Sequence, residues 1–162
     1  MMAAGKTTIG FKLAKKLKYQ FYDIDALIEK HENKKINEIF QDDGEDYFRK
    51  IEEKLTLEHL EKKECVISLG GGGFLNDSIR KRVKKNSRSF WLNWKITTIL
   101  NRISKSQRRP IALKLNNKDM ANLYKKRVKF YKRSDFKVNC ENKNKKQIIN
   151  LISKLIKNEN SS

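Results

Sequence analysis

Residues 3–8 read Ala-Ala-Gly-Lys-Thr-Thr and run without a break into Ile9-Gly10-Phe11-Lys12-Leu13-Ala14. This is the half of a phosphate loop that touches the anion, placed directly before a helical pattern. Gly5 lets the backbone approach a phosphate, Lys6 reaches the β and γ phosphates, and the Thr7 hydroxyl suits Mg2+. Ala4 and Thr8 complete a candidate ATP-binding run, 4–8, and the helix that follows points its first N–H groups at the anion. The full pattern G-x-x-x-x-G-K-[ST] would place its first glycine just ahead of Met1. Gly-Lys-Thr alone is common by chance, so the rest of the chain has to decide.

The chain has 162 residues, room for one domain with a sizeable core, and we expect a single domain over 1–157 with a frayed tail at 158–162. Hydrophobic residues make up 38%, charged residues 35%, and there is one proline, a balance that reads as globular and helix-rich. No apolar run is long enough to span a membrane and the N-terminus has no signal-like apolar stretch, which predicts a cytoplasmic protein without a membrane partner. Cys65 and Cys140 stand far apart, outside any metal-ligand spacing, and read as reduced, buried fillers; His31 and His59 also lack partners in sequence. The net charge of +19 would suit a nucleic acid. Lysines are nevertheless spread through every expected helix, with no nucleic-acid-binding signature beside them, so we expect solvated faces and no nucleic-acid partner.

Apolar spacing predicts helices over 7–17, 26–32, 36–40, 46–62, 96–103, 119–133 and 146–157. Short strand-like runs lie at 20–24, 65–69, 89–92 and 136–138, and the run at 65–69 leads into Gly70-Gly71-Gly72-Gly73, as a buried parallel strand does where it ends at a ligand face. The basic stretch 104–118, which holds Pro110, reads as a lid-like loop. Alternating strands and helices predict an α/β parallel sheet.

Further elements carry chemistry: Asp23-Ile24-Asp25, the run from Gly44 through Phe48-Arg49 to Glu52, Ser68 with the glycines after it, Arg108-Arg109-Pro110, and Lys126-Arg127 with Tyr131. Two carboxylates one residue apart at a strand end face opposite ways unless the strand has turned, and they can also simply cap the next helix. Two arginines can grip a carboxylate in paired, charge-assisted hydrogen bonds. Glycines in such a run let backbone pass close to a ligand.

Together with the phosphate loop, this ordered set strongly resembles the shikimate kinase family from Met1 to about Asn139. The resemblance implies a three-layer, phosphate-loop NTPase-like parallel sheet of order 2-3-1-4-5. It also implies ATP-dependent phosphorylation of shikimate at its 3-hydroxyl, giving shikimate 3-phosphate and ADP, by an enzyme acting as a monomer with Mg2+. On that likeness Asp23 holds Mg2+ through water beside Thr7. Asp25 binds the acceptor hydroxyl and takes its proton, making it catalytic with Lys6 and Arg109. Arg49 and Arg127 clamp the shikimate carboxylate, and the backbone of Gly71 and Gly72 lies against shikimate. Arg109 closes over the γ phosphate, Arg102 is a second candidate for that role, and Ser68 holds a metal-bound water.

The chain departs from the family pattern at Ala3, where a second glycine is usual, and at Lys129, where proline is common. It also begins after the first strand, which in this order lies at the sheet's centre. On sequence alone we expect either a truncated product or a misplaced start, and a chain that is poorly stable and weakly active as written. The alternatives are another small-molecule kinase of this fold, such as a gluconate kinase, and an inactive truncated fragment. Gluconate kinase would share Lys6 and Thr7 but would leave Arg49, the glycine run and Arg127 unexplained together.

Overall fold

Helical spacing and short apolar runs alternate along the chain, and each becomes a separate element in the computed structural model, which describes residues 3–104 and 117–159. The order is α1 (Lys6–Leu17), β1 (Gln20–Asp23), α2 (Ile24–Glu32), α3 (Ile36–Asp42), α4 (Gly44–His59), β2 (Cys65–Ser68), a 3-10 turn (Gly73–Leu75) and α5 (Asp77–Asn86). It continues with β3 (Phe90–Asn93), α6 (Ile96–Ser104), α7 (Asn117–Tyr131), β4 (Phe136–Asn139) and α8 (Lys145–Glu159). Lys18, in the left-handed region at φ 62°, ends α1 and turns the chain into β1.

β1 pairs in parallel with β2, from Gln20 opposite Cys65 to Asp23 opposite Ser68. β3 pairs in parallel with β4, from Phe90 opposite Phe136 to Asn93 opposite Asn139. These pairs correspond to strands 2-3 and 4-5 of the expected order; the strand that order places between them is not among the described residues. The fold is α/β with parallel strands, as expected.

Ile9, Trp91, Ile99, Val138, Ile148 and Ile152 anchor one core cluster; Ile24, Ile28, Ile39, Phe48 and Leu55 form a second beneath α2, α3 and α4. Ile67 and Leu69 pack against both, so the strand leading into the glycine run ties the two clusters together.

Helix α5 differs from the sequence reading, which left 77–86 unassigned: only Ile79 and Val83 of its ten residues are buried among basic neighbours. Helix α8 runs on to Glu159, into the stretch expected to fray, because no glycine or proline stops it there. Cys140 is buried as expected, while Cys65 is only half-buried; both are free thiols. Of the expected lid, residue 104 belongs to α6 and residues 117–118 to α7, and 105–116 lie outside the described residues.

Candidate active site

At one end of the site the chain enters α1 through two residues in the left-handed region, Ala3 at φ 54° and Gly5 at φ 80°. Gly5 adopts this without a Cβ penalty and its carbonyl accepts the first helical bond, from the Ile9 N–H at 2.9 Å. Ala3 has no such freedom, and an L-residue in this region costs about 1 to 2 kcal/mol. The backbone therefore accounts for the glycine expected at this position. Ala3→Gly should raise the unfolding free energy by about 1 kcal/mol, read as a shifted denaturant midpoint at unchanged slope. An unmoved midpoint would show that the position bears no strain. The loop is also held from outside, since the Trp94 indole N–H donates to the Ala4 carbonyl at 3.1 Å.

Lys6 and Thr7 occupy the first turn of α1. The Thr7 hydroxyl donates to the Asp23 carboxylate at 2.6 Å, and Asp23 faces Ser68 across the β1–β2 register. Asp23 also caps α2, accepting from the Ala26 N–H at 3.4 Å. The capping reading of that carboxylate thus holds. The strand turns directly after Asp23, so Asp25 falls in the first turn of α2 and reaches the glycine run.

That run forms the floor of the acceptor end. A Cβ built on Gly70 would lie 2.7 Å from Asp25 Oδ1 and still closer to Glu52 Oε1. One built on Gly72 would lie 2.8 Å from the Arg49 guanidinium carbon. Hydrogen at these positions is what lets the carboxylates and the guanidinium pack on the backbone. Between them, the Gly71 carbonyl accepts from the Tyr131 hydroxyl at 2.7 Å, which fixes the run against α7.

Arg49 donates to Glu52 at 2.6 Å and to Glu45 at 2.9 Å, and lies over the Phe48 ring at 5.1 Å. Glu52 is 2% exposed, and among the described residues its Oε1 has no hydrogen-bond partner. Burial pushes the Glu52 carboxyl above the ordinary range, the Arg49 charge opposes this, and Asp25 adds to it. For Arg49, burial pulls downward, but Glu52 and Glu45 more than offset it and hold the guanidinium's pKa up. Burial pulls the pKa of Arg127, on α7, below its usual value, and the like charge of Arg49 acts in the same sense. Burial also pushes the Tyr131 phenol up to about 12, so it stays a donor.

The structure thus gathers Thr7, Asp23 and Ser68 at one end and Asp25, Arg49, the glycines and Arg127 at the other. Arg102 sits on α6, stacked 3.7 Å over Trp94 with one N–H directed at the Ala3 carbonyl at 3.4 Å. Arg108, Arg109 and Pro110 lie outside the described residues. Glu52 and Tyr131, to which the sequence reading gave no role, are buried against Arg49 and the glycine run. A buried acid three residues after Arg49 reads in sequence as an ordinary helix-surface pair.

A helix-borne lysine and threonine, a carboxylate bonded to that threonine, and a second carboxylate and an arginine packed on one glycine run are an arrangement that suits a phosphate-loop kinase. The family model for shikimate kinase matches residues 2–157. A shikimate kinase of Persephonella marina is 39% identical over 151 residues, 93% of this chain and 92% of the relative. The crystal structure of the Aquifex aeolicus shikimate kinase superposes with a TM-score of 0.88 at 31% identity, over 98% of this chain and 94% of that one. The Acinetobacter baumannii shikimate kinase, solved in complex with shikimate, superposes with a TM-score of 0.90 at 27% identity, over 98% and 89%. The chain belongs to the shikimate kinase family and is an ATP-using transferase of the shikimate pathway.

Proposed function

We propose that the chain transfers the γ phosphate of ATP to the 3-hydroxyl of shikimate, giving shikimate 3-phosphate and ADP. The observation that carries the reading is the convergence of Asp25 and Arg49 on one glycine run, with the buried Arg127 guanidinium close enough to feel the charges of Arg49 and Glu52. Arg49 and Arg127 hold the acceptor carboxylate, and Glu52, bonded to Arg49, fixes the direction of that guanidinium. The Gly71 and Gly72 backbone takes the face of the ring. Asp25 orients the acceptor hydroxyl and takes its proton as the oxygen attacks phosphorus. Gly5, Lys6 and the N–H groups of the first turn cradle the phosphates. Arg109 keeps its part opposite the γ phosphate on the strength of sequence alone.

Thr7 and Asp23 would hold Mg2+. They offer a hydroxyl and a carboxylate 2.6 Å apart, oxygen donors suited to a hard cation that keeps water and phosphate oxygens as its other ligands. Among the described residues no group of three or more His, Cys, Asp or Glu could hold a metal by itself. When bound, the ion draws charge from the β and γ phosphates. The reading carries with it a cytoplasmic monomer without nucleic-acid or membrane partners. No described helix is long and apolar enough to cross a membrane.

Arg49→Lys and Arg127→Lys test the clamp. A charge-assisted hydrogen bond is worth about 1.5 to 3 kcal/mol, so each variant should raise KM for shikimate roughly ten- to a hundred-fold, with a smaller change in kcat. Unchanged KM in both variants would rule out a carboxylate held by these residues. A gluconate kinase also meets a carboxylate, so direct comparison of the two acceptors decides between the readings.

A further inference from the structure

Trp94 holds the phosphate loop from outside it and has no part in the chemistry above. It lies between β3 and α6, buried, and its indole N–H donates to the Ala4 carbonyl at 3.1 Å. The backbone that carries it is fixed on both sides. The Asn93 carbonyl accepts from the Cys140 N–H at 3.0 Å, the Trp94 carbonyl accepts from the Tyr124 hydroxyl at 2.8 Å, and the Lys95 N–H donates to the Glu141 carboxylate at 2.7 Å. The Arg102 guanidinium stacks on the face of the ring, 3.7 Å from its centre. Groups from α6, α7 and the turn after β4 thus keep the indole in one direction, and that direction is Ala4.

Holding this one carbonyl sets the direction of a donor. In a trans peptide the C=O of one residue and the N–H of the next point opposite ways, and among the described residues no peptide bond is cis. With the Ala4 C=O tied to Trp94, the Gly5 N–H is turned to the other side. One unit earlier, the Arg102 bond to the Ala3 carbonyl, at 3.4 Å, acts on the Ala4 N–H in the same way. Ala3 and Gly5 lie in the left-handed region and Ala4 between them does not. Such alternation brings successive N–H groups together into an anion-binding concavity. A non-glycine residue stays in the left-handed region only where its surroundings over-determine it. The bonds to the Ala3 and Ala4 carbonyls supply that constraint here.

We propose that Trp94 is a positioning residue for the nucleotide, which through the Ala4 carbonyl aims the Gly5 N–H at the phosphates. The proposal rests on the reading of residues 4–8 as the ATP-binding run. An indole nitrogen suits the task because it only donates, so it holds a carbonyl in one sense. Both ends of the bond are buried, with Ala4 1% and Trp94 7% exposed, and removing the donor leaves an unpaired carbonyl free to turn. Tyr124 acts one step further out, by fixing the backbone of Trp94.

Trp94→Phe removes the N–H and keeps a ring beneath Arg102. ADP and shikimate binding are measured separately by calorimetry, KM for ATP and kcat by turnover, and the Gly5 amide by NMR with and without ADP. The expected result is a Kd for ADP and a KM for ATP raised at least about five-fold, the scale of one net hydrogen bond, with shikimate affinity near the parental value. The shift of the Gly5 amide on adding ADP should shrink in the same variant. A lowered Tm with parental ADP affinity, or equal losses for ADP and shikimate, would mean that Trp94 only supports the fold and would overturn the proposal. If Trp94→Phe no longer melts cooperatively, Tyr124→Phe decides, since it leaves the indole in place: a smaller loss confined to ADP is expected, and parental ADP affinity would overturn the proposal. Failure of the parental chain itself to bind ADP would instead overturn the reading of residues 4–8, and the proposal with it.

Discussion

Asp25→Asn is expected to lower turnover by about a thousand-fold while ATP binding stays near the parental value. The amide preserves the shape of the side chain but loses the charge that orients the acceptor hydroxyl and the basicity that takes its proton, a contribution of about 10² to 10⁴ in rate. Asp25 sits at the glycine run, whereas Asp23 is bonded to the Thr7 hydroxyl at the phosphate end. Asp23→Asn should therefore show itself differently, as a raised Mg2+ requirement for turnover. A metal titration of both variants checks the division. If both curves shift alike, the two carboxylates share one role and the assignment of the base to Asp25 fails.

The second large effect is expected from a single methyl group. Gly70→Ala places a Cβ against Asp25 Oδ1 and Glu52 Oε1. Exposed side-chain ends could swing away, but Glu52 is buried and tied to Arg49, which leaves the Asp25 carboxylate to move. A displacement on the order of 1 Å costs about a hundred-fold in rate, and overpacking costs about 1 to 3 kcal/mol of stability. The signature is a kcat effect. Gly72→Ala meets the Arg49 guanidinium instead and should act mainly on KM for shikimate. Matched kinetics of the two alanine variants check this, and a parental kcat for Gly70→Ala would mean that the glycine run does not position Asp25.

Why these positions behave as a unit was only partly legible in the sequence. The phosphate loop, the Asp-x-Asp pair and the glycine run are chemically specific at short range, and their order along an α/β alternation was enough to indicate which ends of strands they occupy. The turn after Asp23 was not legible: periodicity extended the strand to Ile24, and only the capped geometry puts Asp25 on a helix. Helix α5 escaped because its buried stripe is just Ile79 and Val83, although Asn76, which accepts from the Ile79 N–H at 3.1 Å, is a recognisable cap. Glu52 and Tyr131 lay inside the motifs quoted, yet their roles depend on burial and on contacts across elements. A glutamate becomes a positioning group only when α4 turns it under Gly70, and a tyrosine only when α7 brings its hydroxyl to Gly71. The +19 charge is a property of the whole chain and says little about its site.

The most direct test of the central claim is where the phosphate goes. The chain is incubated with Mg2+, ATP and either shikimate or gluconate, and the products are read by phosphorus NMR together with ADP release. Transfer to the 3-hydroxyl of shikimate, with one ADP formed per shikimate 3-phosphate and none above background with gluconate, is the result the account predicts. Phosphorylation of gluconate, or ADP release that shikimate does not accelerate, would contradict it.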